Sequence, residues 1–188
     1  MCNGNGSCTA GTSSTCAYGC TPNGTSCCQS KRPSSANKLT NPGFDGTLDG
    51  WSASGYMPGP NFDSDGCPGS GSGDVSSLTA QLDQCVNVTS GSFTLTYRFK
   101  GYDSSSNTGI CYVNYYSIPC PNAISDFDFA IGNVEVHAPS SGNWVQAQTP
   151  PLAALPAGTK SAHVYCVPML GFGYYDQIYF GNSSSVTF

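Results

Sequence analysis

The chain has 188 residues and a formal net charge of -5, with only 9% charged residues but 23 Gly, 13 Pro, 11 Cys and 11 Tyr. Its six Lys and Arg residues form no basic stripe, which excludes nucleic acid as a partner because the phosphate backbone is bound mainly through cations. No apolar run is long enough to be a transmembrane segment, and Met1-Cys2-Asn3 opens no recognisable signal peptide, so the numbered chain reads as a mature or processed form.

In chain order, the first element is a cysteine-rich segment. Cys2, Cys8, Cys16, Cys20, Cys27 and Cys28 sit among Gly, Ser, Thr and Asn, with almost no aliphatic side chains. Such a stretch cannot bury a core, so residues 1–30 are expected to form a disulfide knot. A zinc site is the competing reading, but the only histidines are His137 and His163, and no Cys-x-x-Cys pair occurs. Many cysteines in a chain this poor in charge point to an oxidising compartment, hence to an extracellular or cell-surface protein. The odd total leaves one thiol over. Either Cys2 is lipidated or joined to another molecule by an intermolecular disulfide, or Cys2 closes the knot and a later thiol is left. Asn5, Asn23, Asn87 and Asn182 open glycosylation sequons, which arise readily by chance in so Ser/Thr-rich a chain.

Residues 31–37 read as a linker, with Pro33 discouraging regular structure. Residues 38–188 are long enough for one sandwich with a core. Period-two alternation predicts strands near 39–44, 78–88, 92–100, 110–116, 131–138, 143–149, 161–167 and 174–180, with Gly/Ser/Asp/Pro clusters between them. About eight strands at this spacing make an all-β, two-sheet jelly-roll β-sandwich. The connection from Tyr56 to Ser77, rich in Gly and Pro, reads as a surface loop pinned by Cys67.

Catalysis finds little support. An acid/base pair could be assembled from Asp63, Asp65, Asp126, Asp128 and Glu135, but Asp-Ser-Asp-Gly and Asp-Phe-Asp are ordinary loop sequences, and no Gly-x-Ser-x-Gly elbow occurs. Strand parity is more informative. If strand 110–116 buries Cys111, Val113 and Tyr115, then Tyr112, Asn114 and Tyr116 face outward. Likewise strand 161–167 turns His163 and Tyr165 outward, strand 131–138 adds Glu135 and His137, and strand 78–88 adds Gln81 and Asp83. Aromatic rings interleaved with amide, carboxylate and imidazole groups suit a sugar, whose C–H faces pack on rings while its hydroxyls take directional hydrogen bonds. An ordinary solvated sheet face with cross-strand tyrosine pairs is the plainer reading.

Two distant stretches, Asn41-Pro42-Gly43-Phe44-Asp45-Gly46 with Gly50-Trp51, and Tyr174-Tyr175-Asp176-Gln177-Ile178-Tyr179-Phe180, resemble the opening and closing strands of the galactose-binding-like jelly rolls of carbohydrate-binding modules of the family 4, 9 and 22 type. Gln84-Cys85-Val86-Asn87-Val88, Ser92 to Gly101, Asn143-Trp144-Val145 and Pro156-Ala157-Gly158-Thr159 fit the same pattern between them. The resemblance implies that the outward residues gather on one concave sheet that binds a polysaccharide or glycan without catalysis. It implies a structural Ca2+ held by Asp45 and Asp176, tying the first strand to the last, although Asp45 stands where Glu is more usual. It also places Trp51 and Trp144 in the core. The alternative is a structural subunit of an extracellular fibre, coat or matrix, in which low charge, many cysteines and an odd thiol serve self-assembly.

Overall fold

The structure, a computed structural model, describes residues 7–10, 12–16, 18–24, 26–28, 36–53, 55–59, 61–77, 79–102, 107–120, 130–150, 153–182 and 186. Cys2, the sequon at Asn5, most of the linker, Asp126 and Asp128 lie outside the described residues. The strands are β1 (Ser7–Ala10), β2 (Thr12–Thr15), β3 (Ser52–Ala53), β4 (Tyr56–Pro58), β5 (Gly71–Val75), β6 (Leu82–Asn87), β7 (Ser92–Gly101), β8 (Thr108–Tyr116), β9 (Ala130–His137), β10 (Val145–Gln148), β11 (Ala153–Ala154), β12 (Ser161–Leu170) and β13 (Gly173–Gly181). One sheet runs β10-β7-β13-β5-β4, with β11 also on β7; the other runs β3-β6-β12-β8-β9; and β1 pairs with β2 in a separate hairpin. The chain is an all-β sandwich of two antiparallel sheets. No helix long and apolar enough to cross a membrane occurs among the described residues.

Alternation builds the core. Phe93, Leu95, Tyr97 and Phe99 of β7 face Cys111, Val113 and Tyr115 of β8 and Ala162, Val164 and Cys166 of β12 across the sandwich. On β13 the parity changes: Tyr175 is inward, and so are Ile178 and Phe180. A bulge between Asp176 and Tyr179, with Gln177 at φ 49°, absorbs the extra residue. The core phenols find partners inside. Tyr97 Oη donates to Val136 O at 2.7 Å, and Tyr175 Oη donates to Val167 O at 2.6 Å.

These phenols set the alkaline limit of the fold. Burial pushes the Tyr115 hydroxyl up from 10.0 to about 12, and burial likewise raises Tyr97 and Tyr175 well above the ordinary tyrosine value. The unfolded chain therefore gives up these protons first. Their contribution is fully present below the unfolded pKa of 10.0 and is lost as pH rises through the folded values. The urea midpoint is expected to stay level from about pH 8 to 9.5 and to drop between about pH 10 and 12; an unchanged midpoint near pH 11.5 would contradict this.

The structure corrects several expectations. Residues 39–44 form turns rather than a strand, with Asn41 and Phe44 in the left-handed region at φ 45° and 50°. The stretch from Tyr56 to Ser77 is not all loop, because it contributes β4 and β5. Its glycines misled the reading of β5: a Cβ on Gly73 would lie 2.5 Å from Leu82 Cδ1, and one on Gly71 would lie 2.2 Å from Met57 O. These glycines mark close packing inside a sheet. Trp51 is in the core, but Trp144 is half-buried and outside it.

Four disulfides join Cys16–Cys27, Cys28–Cys67, Cys85–Cys120 and Cys111–Cys166 among the described residues. Cys20 takes no part in these bonds. Cys67 pins its loop as expected, but its partner is Cys28, so the cysteine-rich segment is covalently tied to the sandwich. That segment lies on the loop: Gly69 N donates to Tyr18 O at 2.9 Å. The loop in turn lies on the β7–β13 face, where Arg98 reaches Asp65 at 3.0 Å and Ser64 N donates to Asp176 Oδ2 at 2.9 Å. Several disulfides are consistent with an extracellular location.

Candidate functional site

Register puts the outward-parity residues of β6, β12, β8 and β9 in straight rows across the sheet. Asp83 pairs with Tyr165, Tyr165 with Tyr112, and Tyr112 with Glu135, which makes one row of the pattern carboxylate, ring, ring, carboxylate. The next row is Cys85, His163, Asn114 and Asn133, and the one beyond it Asn87, Ser161 and Tyr116. On the other side of the first row, Ile110 pairs with Val167 and with His137. Gln81 precedes β6 and its Nε2 donates to Asp83 Oδ2 at 3.1 Å. All of the sequence-predicted groove residues thus share one face.

They do not share one exposure. Tyr112 and Tyr165 are half-exposed, and Gln81, Glu135 and His137 are exposed. Asp83, His163, Asn114 and Tyr116, expected to face outward, point away from the core yet are buried. Residues 117–120 fold back over their end of the sheet. Ser161 Oγ donates to Ile118 O at 2.7 Å, Cys120 N donates to Asn87 Oδ1 at 2.9 Å, and the Cys85–Cys120 disulfide closes the cover. Parity gives the side of a sheet on which a residue lies; it carries no information about a segment that caps that side.

The centre of the face is an aromatic pair. The Tyr112 and Tyr165 rings stack at 4.8 Å with planes 14° apart, and the His163 ring lies 5.5 Å from that of Tyr165. Burial raises the pKa of both phenols, and the Glu135 carboxylate raises both further, so both stay protonated near neutral pH. Below, His163 Nε2 and Asp83 Oδ1 are 3.0 Å apart in a buried pair. Tyr112, Asn114 and Tyr165 open into a pocket of about 440 Å³ whose far wall is residues 130–133 of β9. That wall, with Asn133 in the row of Asn114, escaped the sequence reading. Its signal was present, since Asn133 has the same parity as Glu135. At the rim, His137 Nε2 lies 3.2 Å from Glu135 Oε1.

Asp45 and Asp176 occupy a different place, at the turn where residues 41–46 meet the β13 bulge. Ile178 N donates to Pro42 O at 2.8 Å, and Gln177 N donates to Asp176 Oδ1 at 2.7 Å. Ser70 Oγ lies 3.4 Å from Asp45 Oδ1. Burial raises the pKa of the Tyr56 hydroxyl, and the charges of Asp63, Asp45 and Asp176 raise it further. No group of three or more His, Cys, Asp or Glu side chains arranged to hold a metal occurs among the described residues. A hard cation here would rest on the carboxylates of Asp45 and Asp176 and on backbone oxygens of the 41–46 turn.

No family model matches the chain, and no curated protein matches it in sequence. Solved structures do match in shape. The xylan-binding domain of carbohydrate-binding family 22 superposes with a TM-score of 0.52 at 14% identity, covering 82% of this chain and 100% of that one. The C-terminal family 22 carbohydrate binding module of Clostridium thermocellum Xyn10B gives 0.52 at 12% identity, over 84% of this chain and 99% of that one. The enzymatically active domain of bacteriophage CBA120 tailspike protein 4 gives 0.51 at 13% identity, and there this chain, matched over 78% of its length, spans only 21% of the other. At such identities the likeness shows the fold: the chain is a β-sandwich of the kind seen in family 22 carbohydrate-binding modules, preceded by a short cysteine-rich segment.

Proposed function

We propose that the protein is a secreted or surface-anchored, non-catalytic module that binds a polysaccharide or glycan on the β12 sheet. The carrying observation is the cross-strand row Asp83, Tyr165, Tyr112, Glu135 opening into a pocket. Stacked on each other, the two rings leave the outer face of Tyr112 for the C–H side of a sugar. Glu135, Asn133 and the phenol hydroxyls offer directional partners at the edges. Asp83 works from below, fixing His163 and through it Tyr165.

A glycan array with xylan among its probes identifies the ligand. Tyr112→Ala or Tyr165→Ala is then expected to weaken binding about tenfold or more, with a stability change of about 1 kcal/mol because both rings are half-exposed. Unaltered affinity in both variants, or a parent that binds no glycan while assembling into ordered polymers, would overturn the reading in favour of a structural subunit.

The same proposal includes a structural Ca2+ at Asp45 and Asp176, where the ion would tie the 41–46 turn to β13. Chelation is expected to lower Tm by several degrees, equivalent to about 1–3 kcal/mol, without unfolding the domain, and Asp176→Ala should abolish the difference. An unchanged Tm on chelation of protein shown to contain calcium would refute the site.

A further inference from the structure

The outer face of the β7 sheet carries a second aromatic row that neither the core nor the groove uses. Lys100 of β7 pairs with Tyr174 of β13, and Tyr174 pairs with Asp74 of β5. On the other side of β7, Val145 of β10 pairs with Phe99 and packs with it against the core. Trp144 immediately precedes β10, and continuing the register by one residue sets it opposite Lys100, on the outer face. The row reads Trp144, Lys100, Tyr174, Asp74. It is extended upward by Tyr102, whose ring stacks on Tyr174 at 4.6 Å with planes 30° apart, while Phe62 meets Tyr174 edge-on at 5.0 Å.

Two features separate this shelf from incidental surface aromatics. Tyr102 is 44% exposed, yet it is fixed: its hydroxyl donates to the carboxylate of Asp74, which is only 8% exposed. Lys100 is fixed as well, with Nζ donating to Asn61 O at 3.1 Å. The shelf is thus a set of oriented rings divided by charged groups. A second protein would need a continuous surface of the order of 800 Å² per partner with few charges at its centre, whereas Lys100 and Asp74 flank Tyr174 here. An anionic lipid surface would need a basic excess, whereas this row balances one Lys against one Asp. Rings beside charged hydrogen-bonding groups are also the composition, though not the order, of the row on the opposite sheet.

We propose that this shelf is a second saccharide-contact site, so that one module engages two glycan segments on opposite faces. Its ligand class rests on the glycan reading of the groove; its geometry is independent of it.

Intrinsic fluorescence gives a selective readout, because the chain has only two tryptophans and Trp51 is buried in the core. Soluble xylan, galactan and mannan are titrated into the parent, Tyr112→Ala/Tyr165→Ala, Trp144→Phe and Tyr102→Ala, with total binding followed in parallel by calorimetry. A bound polysaccharide is expected to change the parent's emission. The response should persist in the groove double variant, vanish in Trp144→Phe and shift to about tenfold higher ligand concentration in Tyr102→Ala. The shelf is refuted if the groove double variant loses the emission response together with all binding. It is equally refuted if Trp144→Phe and Tyr102→Ala keep the affinity and stoichiometry of the parent, which leaves the groove reading standing. A persistent response with unaltered calorimetric affinity in the groove variant removes the groove and keeps the shelf. Polysaccharides that neither bind nor alter emission remove both.

Discussion

Trp51→Ala is expected to cost about 3–5 kcal/mol, a third or more of the stability of a typical domain, whereas Trp144→Ala should cost about 1 kcal/mol or less. Trp51 is 7% exposed and packs on Phe44 with ring centroids 5.4 Å apart. Its indole Nε1 also donates to Asn41 O at 3.0 Å. Truncation would open a cavity and release that carbonyl at once. Asn41 holds the left-handed start of the turn at φ 45°, and its Oδ1 accepts Asp45 N at 2.8 Å, so the turn bearing Asp45 should loosen as well. Trp51→Phe separates the two effects: most of the packing stays, and the lost hydrogen bond alone should cost about 1 kcal/mol. Urea midpoints of the three variants decide the matter. Equal losses for Trp51→Ala and Trp144→Ala would place both rings in the core and contradict the structure.

The contrast between the two tryptophans shows how far the sequence could be read. Trp51 and Trp144 look alike as isolated aromatics beside Asn or Gly, and resemblance assigned both to the core. The structure tells them apart: Val145 and Ala147 of β10 pack inward, while Trp144, just before the strand, is half-buried and outside the core. The long strands were legible for the same reason. Where Phe93, Leu95, Tyr97 and Phe99 recur at every second position, the pattern has one solution. β5 was illegible because the space its glycines leave is filled by Leu82, Phe44 and Tyr56, contacts that only the fold creates. The shared face followed from parity alone, and every residue that parity assigned to it lies on that side of the sheet. What parity could not supply was the cover. Cys67 and Cys111 are both nearer to Cys85 in the linear chain, and only the fold brings it to Cys120, above His163 and Asn114.

His163→Ala is expected to lower stability by about 3 kcal/mol and to weaken saccharide binding, although His163 itself is 2% exposed. The imidazole Nε2 lies 3.0 Å from Asp83 Oδ1, and Asp83 has the Gln81 amide as its other partner at 3.1 Å. Deleting the ring leaves a buried carboxylate with half its support and removes the surface against which Tyr165 rests at 5.5 Å. Charge and packing can be separated. Asp83→Leu/His163→Leu removes both polar partners together, and replacing a buried pair by apolar groups of similar volume is often close to neutral for stability. The double variant should therefore recover much of the lost stability, while binding should recover only as far as Tyr165 is still held by packing. A double-mutant cycle read by urea midpoint and by affinity gives two coupling energies for the same pair. If both measures return to the parent level, Asp83 and His163 are filler beneath the groove. If stability returns and affinity stays low, the pair exists to set the height and tilt of Tyr165, which makes them positioning residues for a ligand neither one touches.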